Sequence, residues 1–137
     1  MIEVKDITKS YGNGESRFQI LQGISLEIKD GDFVVILGAS GSGKSTLLNM
    51  IGLLDNIDSG KILINGKILP KVNSRSAVNY RKNVINYLFQ SNALISTSSV
   101  KDNLMLAMTF TNFSKEEKEK KIKETLRFVG LENRLDS

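Results

Sequence analysis

The chain opens on a period of two. Ile2 and Val4, and then Ile24, Leu26 and Ile28, stand among polar neighbours such as Ser25, Glu27 and Lys29, the pattern of strands with one buried face. The N-terminal region therefore reads as antiparallel β structure. After Asp30-Gly31 the pattern changes, because "FVVIL", Phe33 to Leu37, is apolar at every position. Such a run predicts a strand covered on both faces in a parallel sheet. "LINGKIL" sets Asn65-Gly66 between apolar runs and predicts a hairpin, and "VINYLF", Val84 to Phe89, predicts another buried strand.

In the C-terminal third the period lengthens to that of helices. Val100, Leu104 and Ala107 fall on one face, and Ile122, Leu126 and Val129 on the next. Ser114 with Glu117 predicts a capping box for the second helix, and Gly130 stands where its C-cap belongs. No internal repeat or low-complexity linker interrupts the chain.

Composition narrows the chemistry. With 137 residues, 40% hydrophobic and 25% charged, the chain suits one soluble domain with a modest core. No stretch approaches the roughly 20 apolar residues of a membrane-spanning helix. The start "MIEVKDITKSY" lacks the apolar core of a signal peptide, so a cytoplasmic protein without direct membrane insertion is expected. The absence of cysteine and histidine excludes disulfides, thiol nucleophiles, imidazole acid–base chemistry and the commonest zinc ligands. Any metal would be held by oxygen, with Mg²⁺ favoured. The net charge of +4 lies largely in "SKEEKEKKIKE", whose mixed signs describe a solvated helix face. No nucleic-acid partner is expected.

The densest signal is "GASGSGKS", Gly38 to Ser45, which fits G-x-x-x-x-G-K-[ST]. Backbone N–H groups must turn inward around a phosphate, and Gly38, Gly41 and Gly43 permit the dihedrals and close approach this requires. Ala39, Ser40 and Ser42 complete the loop. Lys44 reaches the β and γ phosphates as a point charge, the helix that starts near it adds a positive N-terminal dipole, and the Ser45 hydroxyl is placed for Mg²⁺. Gly38 to Thr46 is thus the expected triphosphate cradle. Chance would produce the pattern in about one chain of this length in two hundred. The loop alone leaves open a transporter ATPase, another phosphate-loop enzyme such as a small-molecule kinase, and a noncatalytic nucleotide-binding module.

Around that loop the chain resembles the ATP-binding subunit of ABC transporters. "LQGISLEIKDGDFVVILGASGSGKSTLLNMIGLLD" and "SGKILINGK" are similar to that family throughout, "ITKSYG" resembles its adenine-stacking segment, and "VINYLFQ" its Q-loop strand. "LLNMIGLLD" is closest to the branch serving lipoprotein release, macrolide export and peptide or bacteriocin export. "YLFQSNALI" with "VKDNLMLAM" leans toward its small bacteriocin-export and immunity subunits.

The resemblance implies an α/β, phosphate-loop NTPase fold of the ABC type with an N-terminal antiparallel β region. It implies ATP and Mg²⁺ as ligands, Tyr11 as the aromatic under adenine, and Gln90 as a contact of Mg²⁺ or the attacking water that senses the membrane subunit. It also implies a transmembrane permease partner, a second ATP-binding subunit in a head-to-head pair, and a peripheral position on the inner face of the cell membrane. Three family elements are missing from the sequence: the LSGGQ-type signature, the apolar strand ending in Asp-Glu, and the switch histidine. Residues 1–137 are therefore expected to be the front of one domain, with its helical subdomain starting near residue 97. Asp55 follows an apolar run but precedes asparagine on the helix leaving the loop, so it does not replace the missing pair. The expected behaviour of these residues alone is nucleotide binding without turnover.

Overall fold

The structure is a computed structural model that describes residues 1–91 and 93–137. The chain forms two compact units, Met1–Leu88 and Phe89–Ser137.

The first unit is built on four strands, β1 (Ile2–Tyr11), β2 (Phe18–Ile28), β3 (Ser59–Ile64) and β4 (Lys67–Ile68), in the spatial order β2-β1-β3-β4. Every pair is antiparallel, as the alternating N-terminal pattern predicts. Val4 of β1 lies between Leu26 and Ile62, which places three apolar side chains side by side on one face. Helix α1 (Lys44–Ile51) closes that face, and its Leu47 and Met50 join Val4, Ile7, Leu21 and Ile62 in the core. Helix α2 (Arg75–Asn83) is capped by the Ser74 hydroxyl, which accepts from the Ala77 amide, and its Arg81 donates to the Leu53 carbonyl.

One irregularity in β1 explains its burial pattern. Val4 and Ile7 are both buried although they are three positions apart, which strict alternation forbids. A shift in register between them, with Asp6 at a φ of 48°, resets the faces. The bulge presses on β3. A Cβ on Gly60 would lie 2.4 Å from the Asp6 carbonyl oxygen, so that position admits glycine alone. The expected hairpin joins β3 to β4, with Asn65 and Gly66 at φ values of 50° and 73°, the paired positive angles of a type I′ turn.

Both runs expected to be buried strands depart from expectation. Phe33 to Leu37 and Val84 to Phe89 form no strand, and Phe33, Leu37 and Leu88 are 93%, 86% and 96% exposed. The reason is the nature of a parallel strand, which has no local partner and needs neighbours from distant sequence on its edges and faces. No described residue supplies those edges. Some anchorage remains: Ile36 packs against the core, and the Tyr87 hydroxyl donates to Asn49 Oδ1 of α1 at 2.7 Å.

The second unit carries α3 (Val100–Ala107) and α4 (Lys115–Phe128). The capping box is present in full: Glu117 N donates to Ser114 Oγ and Ser114 N donates to Glu117 Oε2, at 3.2 and 2.7 Å. Gly130, at a φ of 72°, ends α4 in a Schellman turn, with the Leu131 amide donating to the Leu126 carbonyl and the Gly130 amide to Arg127. Ile122 and Leu126 are buried as their spacing predicts. Ala107 and Val129, assigned to the same two faces, are exposed, the first as the last residue of α3 and the second as the C-cap of α4.

Candidate functional site

The loop of residues 38–43 leads directly into the first turn of α1. Gly41 and Gly43 have φ values of 79° and 88°, left-handed angles that turn successive peptides the same way round. Gly43 is the N-cap of α1, and a Cβ there would fall 2.7 Å from Leu21 Cδ2 and 3.3 Å from Ile20 Cγ1. The loop is therefore seated hard against β2. Its stem is stitched by the Ser42 amide donating to Ala39 and the Leu47 amide donating to Gly43.

Lys44 folds back over this loop. Its ammonium donates to the carbonyls of Gly38 and Ala39 at 2.8 and 2.6 Å and lies 3.4 Å from Ser42 Oγ. A cation is thus fixed at the centre of a ring of backbone, at the positive end of a helix. The residues from Gly38 to Ser42 and Ser45 are exposed, Lys44 and Thr46 are half-buried, and a cavity of about 150 Å³ opens between Ile20 and residues 41–46. First-turn amides, a cation and an open mouth are the features with which a helix N-terminus can receive an anion.

Tyr11, at the end of β1, belongs to the same unit. Its ring centroid lies 6.2 Å from that of Phe18, its partner across the sheet, and its hydroxyl donates to Asp55 Oδ2 at 2.7 Å. Through Asp55, which follows α1, the hydroxyl ties the end of β1 to the chain leaving the helix that carries the loop. Burial raises the Tyr11 phenol above its ordinary value and the Asp55 contact raises it further. Gln90 lies in the second unit, exposed in an irregular segment rather than at the end of a strand. Asn92, within the stretch "YLFQSNALI", is outside the described residues. Among the described residues no group of three carboxylates or other acidic, histidine or cysteine side chains could hold a metal. The oxygen donors of the loop, the Ser45 and Thr46 hydroxyls, are hard but neutral, whereas Mg²⁺ is usually held through one or two carboxylates together with phosphate oxygens.

One part of the site escaped the sequence. Lys9 is buried, 7% exposed, and its ammonium donates to Asp55 Oδ1 at 2.8 Å and to the Asn56 carbonyl at 2.6 Å. Asp55, set aside as a catalytic acid, instead joins Lys9 to Tyr11. Burial pushes its carboxyl up, but hydrogen bonds from Lys9, Tyr11 and the Asn56 amide outweigh this and hold it below the usual carboxylate range. The one available signal was the alternation of Ile7, Lys9 and Tyr11, which sets the lysine on the same strand face as a core isoleucine, where an ammonium requires an anion.

Residues 21–137 match the ABC transporter family. The chain belongs to that family. It is 40% identical over 136 residues to the macrolide export ATP-binding/permease protein MacB of Chlorobaculum tepidum, covering 99% of this chain and 21% of that protein. It is 33% identical over 131 residues to the bacitracin export ATP-binding protein BceA of Halalkalibacterium halodurans, covering 96% of this chain and 52% of that one. Among solved structures, a bacterial ABC transporter cassette determined as a dimer superposes with a TM-score of 0.87 at 36% identity, over all of this chain and 60% of the other. These relatives bear out the expected family and the ABC-type ATPase fold. The chain spans at most about 60% of the length of the relatives just described.

Proposed function

We propose that this chain is the nucleotide-binding part of an ABC exporter's ATP-binding subunit, taking ATP with Mg²⁺ at residues 38–46. One observation carries the reading: the Lys44 ammonium sits inside a loop of left-handed glycines at the start of α1, braced against β2. The triphosphate would replace the Gly38 and Ala39 carbonyls as the partner of Lys44 and take the free amides of the first helical turn. Ser45 would offer oxygen to the Mg²⁺ that the nucleotide brings, and Tyr11 would stack under adenine. In the whole protein, ATP binding and hydrolysis would drive export through a separate transmembrane permease. Two ATP-binding subunits would pair on the inner face of the cell membrane.

Turnover requires more than the cradle. Hydrolysis of the γ phosphate rests on electrostatic stabilisation by the loop, Mg²⁺ and a water-orienting residue together. The 137 residues contain no histidine and no strand ending in Asp-Glu, so alone they should bind ATP without releasing phosphate. The test of the site is calorimetric titration of Mg-ATP into the wild-type chain and Lys44→Ala. A severe loss of affinity is expected while the circular dichroism spectrum is kept. Unchanged affinity would refute the assignment of the loop.

A further inference from the structure

Lys9 is the one buried charged residue among those described, and the fold surrounds it with a purpose-built set of partners. Its ammonium meets Asp55 and the Asn56 carbonyl and lies 5.1 Å from the centroid of the Tyr11 ring, within range of a cation–π contact. The second oxygen of Asp55 takes the Tyr11 hydroxyl at 2.7 Å. A carboxylate only accepts hydrogen bonds, so the phenol is obliged to donate to it and its direction is fixed. The ring is consequently held at its hydroxyl by Asp55, across one face by Lys9, and beside Phe18, which is tilted 47° to it.

A core lysine needs an anion, and Asp55 alone would satisfy it. The third member is what a purely structural pair does not need. Tyr11 is 36% exposed, and an aromatic side chain at a strand end with that freedom would otherwise sample several rotamers. We propose that the Lys9–Asp55 pair is a positioning device that presets the Tyr11 ring as the stacking platform for the base of the bound nucleotide. Asp55 and Lys9 act through Tyr11, and the base-bearing part of the ligand is what they govern. The proposal rests on the reading of Tyr11 as the adenine platform and extends it to Lys9, two positions away on the same strand, and to Asp55, 44 positions further along the chain.

The experiment uses the intact protein and two probes, Mg-ATP and inorganic tripolyphosphate. Tyr11→Phe keeps the ring and removes only the hydroxyl that Asp55 holds. It should lose about two- to tenfold in ATP affinity, the range for freezing one side chain that is no longer pre-ordered, with tripolyphosphate affinity unmoved. Asp55→Asn, checked for folding by circular dichroism, should show the same selective loss, and adding Tyr11→Phe to it should cost little more. A phenylalanine variant that binds ATP as the wild type does, while Tyr11→Ala is weakened, overturns the positioning role and leaves the platform standing. Wild-type ATP affinity in Tyr11→Ala overturns the platform itself, and the proposal with it. Equal losses for ATP and tripolyphosphate in Tyr11→Phe also overturn it, because the pair would then support the loop and not the ring.

Discussion

Gly43→Ala measures how much the phosphate loop depends on its close seat against β2. The φ of 88° at this position places an alanine in the left-handed region, at a cost of about 1–2 kcal/mol. The added methyl would also lie 2.7 Å from Leu21 Cδ2, 3.3 Å from Ile20 Cγ1 and 3.4 Å from the Ile20 carbonyl oxygen. Leu21 is 4% exposed and packs in the central core, so it has nowhere to swing. Overpacking of that kind costs about 1–3 kcal/mol, and the two effects together about 2–5 kcal/mol. That is a large share of a domain's typical stability of about 5–15 kcal/mol. Gly41 supplies the control, since its φ of 79° carries the same conformational cost but an added methyl meets nothing within 4 Å. Urea unfolding followed by far-ultraviolet circular dichroism should rank wild type above Gly41→Ala, and Gly41→Ala above Gly43→Ala by about 1–3 kcal/mol. If the two variants unfold at the same urea concentration, the Leu21 contact yields without cost and the bracing argument fails.

Three further outcomes follow from the same structure. Asp55 titrates below its unfolded value, so its contribution to stability is complete above about pH 4 and is lost as pH falls through its folded pKa. The gap in urea midpoint between wild type and Asp55→Asn should accordingly be wide at pH 6 and close toward pH 2.5, and a constant gap would show that the carboxylate is not what matters. Ser114→Ala removes the acceptor for the Glu117 amide and half of the capping box, and should destabilise α4 by about 1 kcal/mol, read as lost helical ellipticity with a lower melting point. The 137-residue chain, with Phe33 and Leu37 standing 93% and 86% exposed beside Val34 and Val35, should self-associate as concentration rises, and sedimentation as a monomer throughout would contradict this.

What the sequence determined by itself was local. The phosphate loop, the Asn65-Gly66 turn, the Ser114–Glu117 capping box and the Gly130 helix stop each depend on a few consecutive residues whose backbone angles and hydrogen bonds are set within one turn of chain. Residue identity was enough to read them, and the family resemblance was carried by the same kind of contiguous stretch. The tertiary structure decided everything that needs a distant partner. Phe33–Leu37 and Val84–Phe89 have the composition of buried strands, yet a parallel strand exists only when another segment offers its edge, and no described residue does so here. The shift in β1 that buries both Val4 and Ile7 depends on β3 arriving with glycine at position 60. The link between Lys9, Tyr11 and Asp55 is likewise invisible when the chain is read in order. Antiparallel pairing and the exit of the chain from α1 bring one carboxylate between an ammonium and a phenol, and only there does Asp55 acquire a charge to neutralise and a ring to hold.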